Sequence, residues 1–113
     1  MAECVIGVDL GGTNVRAAAV GRSGELLSPP VQRPSRGQDG FLATLEQIVA
    51  TVQEAASGAR PLRIGVAAPG HIDSARGVVR WAPNLGEWRE GIFEGWREVP
   101  IAEALQARLN LPV

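Results

Sequence analysis

The sequence predicts a single α/β lobe built on a mixed four-stranded sheet of order 3-2-1-4. Three observations point there: strand patterns with glycine-rich turns run from Cys4 to Arg33, an apolar helical stripe runs from Phe41 to Val52, and a short apolar strand pattern follows at Arg63–Ala68. A chain of 113 residues suits one small domain, with little room for a second.

The opening run Cys4–Leu10 is apolar on both faces apart from Asp9, the pattern of a central strand covered on both sides, with Asp9 emerging at its tip. Gly11-Gly12-Thr13-Asn14 is a turn signal and Val15–Val20 resumes a strand, which makes an antiparallel hairpin. After a second turn at Gly21–Gly24, a third strand over Leu26–Arg33 contains Pro29 and Pro30. Proline cannot donate to a ladder, so this strand belongs at a sheet edge and completes a three-strand meander. The helix carries Phe41, Leu42, Leu45, Ile48, Val49 and Val52 on one face, with Asp39 as its expected N-cap and Gly58 as its stop. A crossover helix implies that Arg63–Ala68 pairs in parallel with the first strand.

Further on, Ile72–Val79 reads as a small hairpin turning through Asp, Ser and Gly. Trp88, Ile92, Phe93 and Trp96 have roughly helical spacing, which predicts a short irregular helix weakened by Gly91 and Gly95. A second helix is expected from Pro100 through Leu109, ended by Asn110 and Pro112. The sequence stops at Val113, where a fifth strand is expected to begin and cover the open edge of the fourth, so the chain reads as cut short.

Composition removes several functions. All eleven basic residues are arginine, so a Walker-type lysine, a Schiff-base lysine and a pyridoxal-phosphate lysine are excluded within the chain. A net charge of −1 with scattered arginines gives no basic stripe for nucleic acid. One cysteine and one histidine build neither an internal disulfide nor a Cys/His zinc site, and Cys4 reads as a small buried apolar residue. No leader and no bilayer-length apolar run is seen, so no membrane is expected and the location expected is cytoplasmic.

The strongest chemical signal is Asp9-Leu10-Gly11-Gly12-Thr13-Asn14. Two glycines with φ > 0 would let main-chain amides converge on a phosphate, with the Thr13 hydroxyl as a neutral donor and Asp9 beside Mg²⁺ through water. The local pattern is equally met by a plain hairpin turn with Asp9 capping it. On the local pattern alone, Asn84 reads as the residue that closes a Pro-Asn turn. Asp73 and His71 read first as turn and solvated-loop residues.

Together these blocks resemble the ROK family of sugar kinases and sugar-responsive repressors, within the actin-like, ribonuclease H-like ATPase superfamily. The resemblance rests on Asp9–Asn14 with Arg16, on Gly65-Val66-Ala67-Ala68-Pro69-Gly70 followed by Ile72-Asp73, on Gly77-Val78-Val79, on Ala82-Pro83-Asn84-Leu85, and on Leu105–Val113. It implies the N-terminal lobe, residues 1–113, of a two-lobed, glucokinase-like enzyme that moves the γ-phosphoryl of ATP to a hexose, with glucose the expected sugar. Carried over by position, Gly11, Gly12 and Thr13 would face phosphate, Asp9 would sit near Mg²⁺, and Gly70 and Asn84 would approach the sugar. The resemblance also implies that the catalytic base, the zinc motif and the adenine pocket lie beyond Val113, in a homodimeric parent, so the 113 residues alone are expected to be inactive. A repressor of the same family would carry a DNA-reading helix-turn-helix before this block, and eight residues precede Asp9. A non-catalytic phosphate- or sugar-binding module is the remaining alternative.

One departure from the family stands out. After Ala82-Pro83-Asn84-Leu85 the link to the last helix is usually short, whereas here Gly86–Glu98 is extended by about two helical turns. It either lids the sugar site or packs Trp88, Phe93 and Trp96 over the core.

Overall fold

The computed structural model describes all residues from Met1 to Val113. Alternation of small and branched residues sets the first strand, β1 (Ala2–Leu10), whose Cys4, Ile6, Val8 and Leu10 are buried while Val5, Gly7 and Asp9 are exposed. β2 (Asn14–Val20) returns antiparallel, with Leu10 opposite Val15 and Asp9 opposite Arg16. β3 (Val31–Pro34) lies outside β2, and β4 (Ala59–Ala67) pairs in parallel with β1, giving the order β3-β2-β1-β4. The predicted order therefore holds.

Several details differ from the sequence reading. β1 and β4 are covered on one face only: Val5 is 41% exposed, and in β4 only Ile64 is fully buried. The reason is that both helices lie on the same side of the sheet; α1 (Phe41–Ala55) packs on β1, β2 and β3 and touches α2 (Ile101–Leu109). The third strand is shorter than predicted, because Pro29 and Pro30 interrupt pairing after an isolated bridge between Val20 and Leu26. Leu42 is 74% exposed rather than on the core stripe, which is completed instead by Thr44 and Thr51. Their hydroxyls are satisfied by the carbonyls of Arg36 (3.0 Å) and Gln47 (2.6 Å). Gly40, not Asp39, occupies the N-cap, and the Asp39 carboxylate accepts from Arg36 Nε at 3.0 Å.

A second sheet, β5 (His71–Asp73), β6 (Val78–Arg89) and β7 (Ile92–Val99), is antiparallel throughout. Here the helical spacing of Trp88–Trp96 misled: the segment is a β-hairpin. Its two-residue turn is Glu90–Gly91, with φ of 51° and 80°, the left-handed pair that matches strand twist in a tight hairpin. The Glu90-Gly91 pair between Arg89 and Ile92 was the turn signal that marks the hairpin. Val79, Ala82, Leu85, Trp96 and Val99 of this sheet join Ile6, Val8, Val15, Ile48 and Leu105 in one continuous core.

α2 stops at Asn110, as expected, but starts at Ile101 with Pro100 as its N-cap and not inside the first turn; Asn110 takes a left-handed C-cap conformation (φ 55°). Beyond it, the Pro112 carbonyl accepts the Ile64 N–H at 2.8 Å, so the tail takes up one ladder position on the open side of β4. No helix is long and apolar enough to cross a membrane.

Candidate functional site

The tip between β1 and β2 is the two-residue unit Gly12–Thr13, closed by the Gly11 N–H donating to the Asn14 carbonyl at 2.8 Å. That leaves the N–H groups of Gly12 and Thr13 with no hydrogen bond inside the chain, and both residues are exposed. Two adjacent unspent amides and a hydroxyl form a small donor set for an anion. The Gly11 amide is spent on the turn.

Neither glycine is left-handed, contrary to the predicted φ > 0. What Gly12 needs is room. A Cβ there would stand 3.3 Å from the Asn84 carbonyl oxygen and 3.4 Å from its Cβ, so the hairpin tip touches β6 at the residue expected to meet a sugar.

Asn84 is delivered to that contact by a bulge. Along β6–β7, Ala82 faces Trp96 and Gly86 faces Gly95, so Pro83, Asn84 and Leu85 oppose no residue on β7. Within the bulge Leu85 turns fully into the core while Asn84 stays exposed. Strand pairing closes again at Gly86, where a Cβ would run into the Glu94 carbonyl. The preceding loop locks the bulge: Gly86 N–H donates to the Gly37 carbonyl (2.8 Å) and Gly40 N–H to the Gly86 carbonyl (3.0 Å). Sequence reading missed Gly37 and Gln38; the glycine-rich, polar run Ser35–Gly40 was the available signal.

Between tip and bulge lies a groove of about 490 Å³, lined by Gly12, Thr13, Gln38, Pro83, Asn84, Trp88 and Phe93. It contains no carboxylate, imidazole or guanidinium. Gly12, Thr13 and Asn84 are thus brought together, and the other expected site residues are not. Asp9 lines a separate hollow on the open sheet face with Gly7 and Arg16. Gly70 (φ 96°) sits against Trp81 and Ala82 on β6, two residues before the bulge begins to expose Asn84. Asp73 accepts the Arg76 N–H at 3.2 Å across its turn, and His71 is exposed beside Trp81, their ring centroids 6.0 Å apart. A larger hollow of about 720 Å³ runs along β6–β7 past Phe41, Arg89 and Trp96 and includes no hairpin-tip residue.

Electrostatic perturbations lie away from this groove. Burial pushes the Cys4 thiol up, which keeps it protonated and unreactive. The Arg108 guanidinium bonded to Glu46 holds that carboxyl below its usual range and ties α1 to α2. No cluster of three or more His, Cys, Asp or Glu side chains is placed to hold a metal ion.

Comparison with known proteins gives a consistent result. The model of the ROK family matches residues 5–113. The glucokinase of Thermotoga maritima is 33% identical over 109 residues, covering 96% of this chain and 32% of the relative. A crystal structure of a ROK family glucokinase from Streptomyces griseus, in complex with glucose and AMPPNP, superposes with a TM-score of 0.82 at 30% identity, covering 97% of this chain and 31% of that one. A xylose repressor from Caldicellulosiruptor bescii is 28% identical over 115 residues, covering 96% of this chain and 26% of the relative. The chain thus spans about a third of the length of the curated glucokinase it matches.

Proposed function

The chain belongs to the ROK family, and on that premise we propose that it is the N-terminal lobe of an ATP-dependent hexose kinase of the glucokinase kind, contributing the phosphate hairpin and one wall of the sugar site. The observation that carries this reading is the contact between Gly12 and Asn84: free amides for an anion and a neutral amide for a hydroxyl border one groove. Donor and acceptor of a phosphoryl group must meet at such a junction.

When bound, ATP supplies the phosphoryl group and Mg²⁺ neutralises its charge. The residues present fit the polyphosphate: Gly12 and Thr13 N–H and the Thr13 hydroxyl would bind its oxygens, while Gly11 sets the turn. Asp9, an exposed carboxylate at the strand end that leads into the hairpin, would hold the metal through water, although it lines a hollow separate from the groove. Asn84 would bind a sugar hydroxyl. Gly70, which packs against Trp81 and Ala82 outside the groove lining, would act only by supporting the strand that carries Asn84.

A sugar hydroxyl also needs a base within hydrogen-bond reach. The groove lining offers none, and Asp73 is engaged in its own turn. This supports assigning the base to residues outside this chain; a zinc motif and adenine contacts in a second lobe, and a homodimeric parent, follow from the family resemblance alone, and the 113 residues by themselves are expected to show no sugar-dependent ADP formation.

Calorimetric titration tests the reading. Expected is binding of both ATP·Mg²⁺ and glucose to the chain, with the ATP response weakened by Gly12→Ala and the glucose response by Asn84→Ala. A response to neither ligand would overturn it. The likeness to a xylose repressor keeps a sugar-sensing lobe as the second reading, which a sugar response without any nucleotide response would favour.

A further inference from the structure

The groove between hairpin tip and bulge has one aromatic wall, formed by the end of the β6–β7 hairpin. Of the three aromatic residues in that segment, Trp96 is buried in the core, whereas Trp88 is 58% exposed. The core-packing role therefore belongs to Trp96 and leaves Trp88 unexplained.

Trp88 is exposed yet held. Its indole Nε1–H donates to Gln38 Oε1 at 3.2 Å, and its ring meets Phe93 edge to face with centroids 5.3 Å apart. The strand beneath it is fixed at its root by the paired Gly37 and Gly40 bonds, and near its tip Arg89 bridges Glu87 and Glu94. An indole presented at a fixed angle loses little conformational freedom when a second ring covers it. The polar groups in the rest of the groove lining are all neutral, with Asn84 beside the hairpin tip and Gln38 beside the indole. Apolar platform on one side and neutral donors and acceptors on the other match the two surfaces of a pyranose, a C–H face and a rim of hydroxyls.

We propose that Trp88 is a stacking platform for the sugar ring, and so a specificity-determining residue that sets how the pyranose lies against Asn84. The inference rests on the sugar-site reading above. It assigns the extended hairpin to substrate selection, with Gln38 as the residue that orients the indole.

The test follows the ¹⁵N signals of the complete 113-residue chain during titration with glucose. Expected is movement of the Trp88 indole N–H together with the Asn84 signals. Trp88→Ala should weaken glucose binding roughly five- to tenfold, and Trp88→Phe by no more than about twofold, because an aromatic face is retained. An unchanged Trp96 indole signal verifies that each variant is folded. If glucose moves Asn84 but not the Trp88 indole, or Trp88→Ala binds as tightly as the native chain, the platform is refuted while the sugar site stands. If glucose moves no signal at all, both fall.

Discussion

The hairpin between β1 and β2 ends in Gly12–Thr13, with neither residue left-handed; the hairpin between β6 and β7 ends in Glu90–Gly91, where both are. Glycine serves space in the first and conformation in the second. A Cβ on Gly12 would press on Asn84, while one on Gly91 would meet nothing within 4 Å. The first tip packs on another part of the fold and keeps its amides free at that junction. The second lies beyond the Trp88–Phe93 pair and the exposed ion pairs of Arg89, with its own two residues exposed. Substitutions at the two tips should therefore separate ligand binding from stability.

The largest effect is expected at the bulge that joins the two regions. Leu85→Ala removes a fully buried side chain and should lower the unfolding free energy by about 3 kcal/mol in urea titration. Gly86→Ala forces β6 and β7 apart at Glu94 and should cost about 2 kcal/mol. The comparison of the tips comes next. Gly91→Ala should cost about 1 kcal/mol, from the left-handed backbone alone, with nucleotide binding unchanged. By contrast, Gly12→Ala should cost roughly 0.5 kcal/mol or less in stability but weaken ATP·Mg²⁺ binding about tenfold in calorimetry. Equal binding losses at both tips would erase the distinction.

The smallest effect concerns acid stability. Glu46 has its folded-state pKa lowered by Arg108, so the stability that it contributes is present above the unfolded-state value and is lost as pH falls through the folded-state value. Glu46→Gln should leave the urea midpoint nearly unchanged at neutral pH, because the pair is exposed, and should flatten its decline on acidification. An identical acid limb in both proteins would show that the pair contributes nothing.

Sequence patterning revealed the first hairpin, the sheet order, α1 and α2, because each is written in local alternation, helical period or terminators that act over a few residues. The second hairpin was misread: Trp88, Ile92, Phe93 and Trp96 fit a helical spacing, and the Glu90–Gly91 turn that decides the matter occupies only two positions. Burial of β1 on both faces was also misjudged, since an apolar run records what a strand tolerates and not what covers it. In the site, Gly12, Thr13 and Asn84 were legible as residue types. Their meeting depends on a three-residue bulge and on its hydrogen bonds to the loop through Gly37 and Gln38; the Ser35–Gly40 run marks a loop in the sequence but not where that loop docks.

Main-chain amides of the Gly12–Thr13 tip are proposed to grip the nucleotide phosphates beside Asn84. A crystal soaked with a non-hydrolysable ATP analogue and Mg²⁺ tests it directly. The expected result is phosphate oxygens about 3 Å from the Gly12 and Thr13 nitrogens, with Asn84 facing the terminal phosphate. A triphosphate bound elsewhere, with those two amides still turned to solvent, would contradict it.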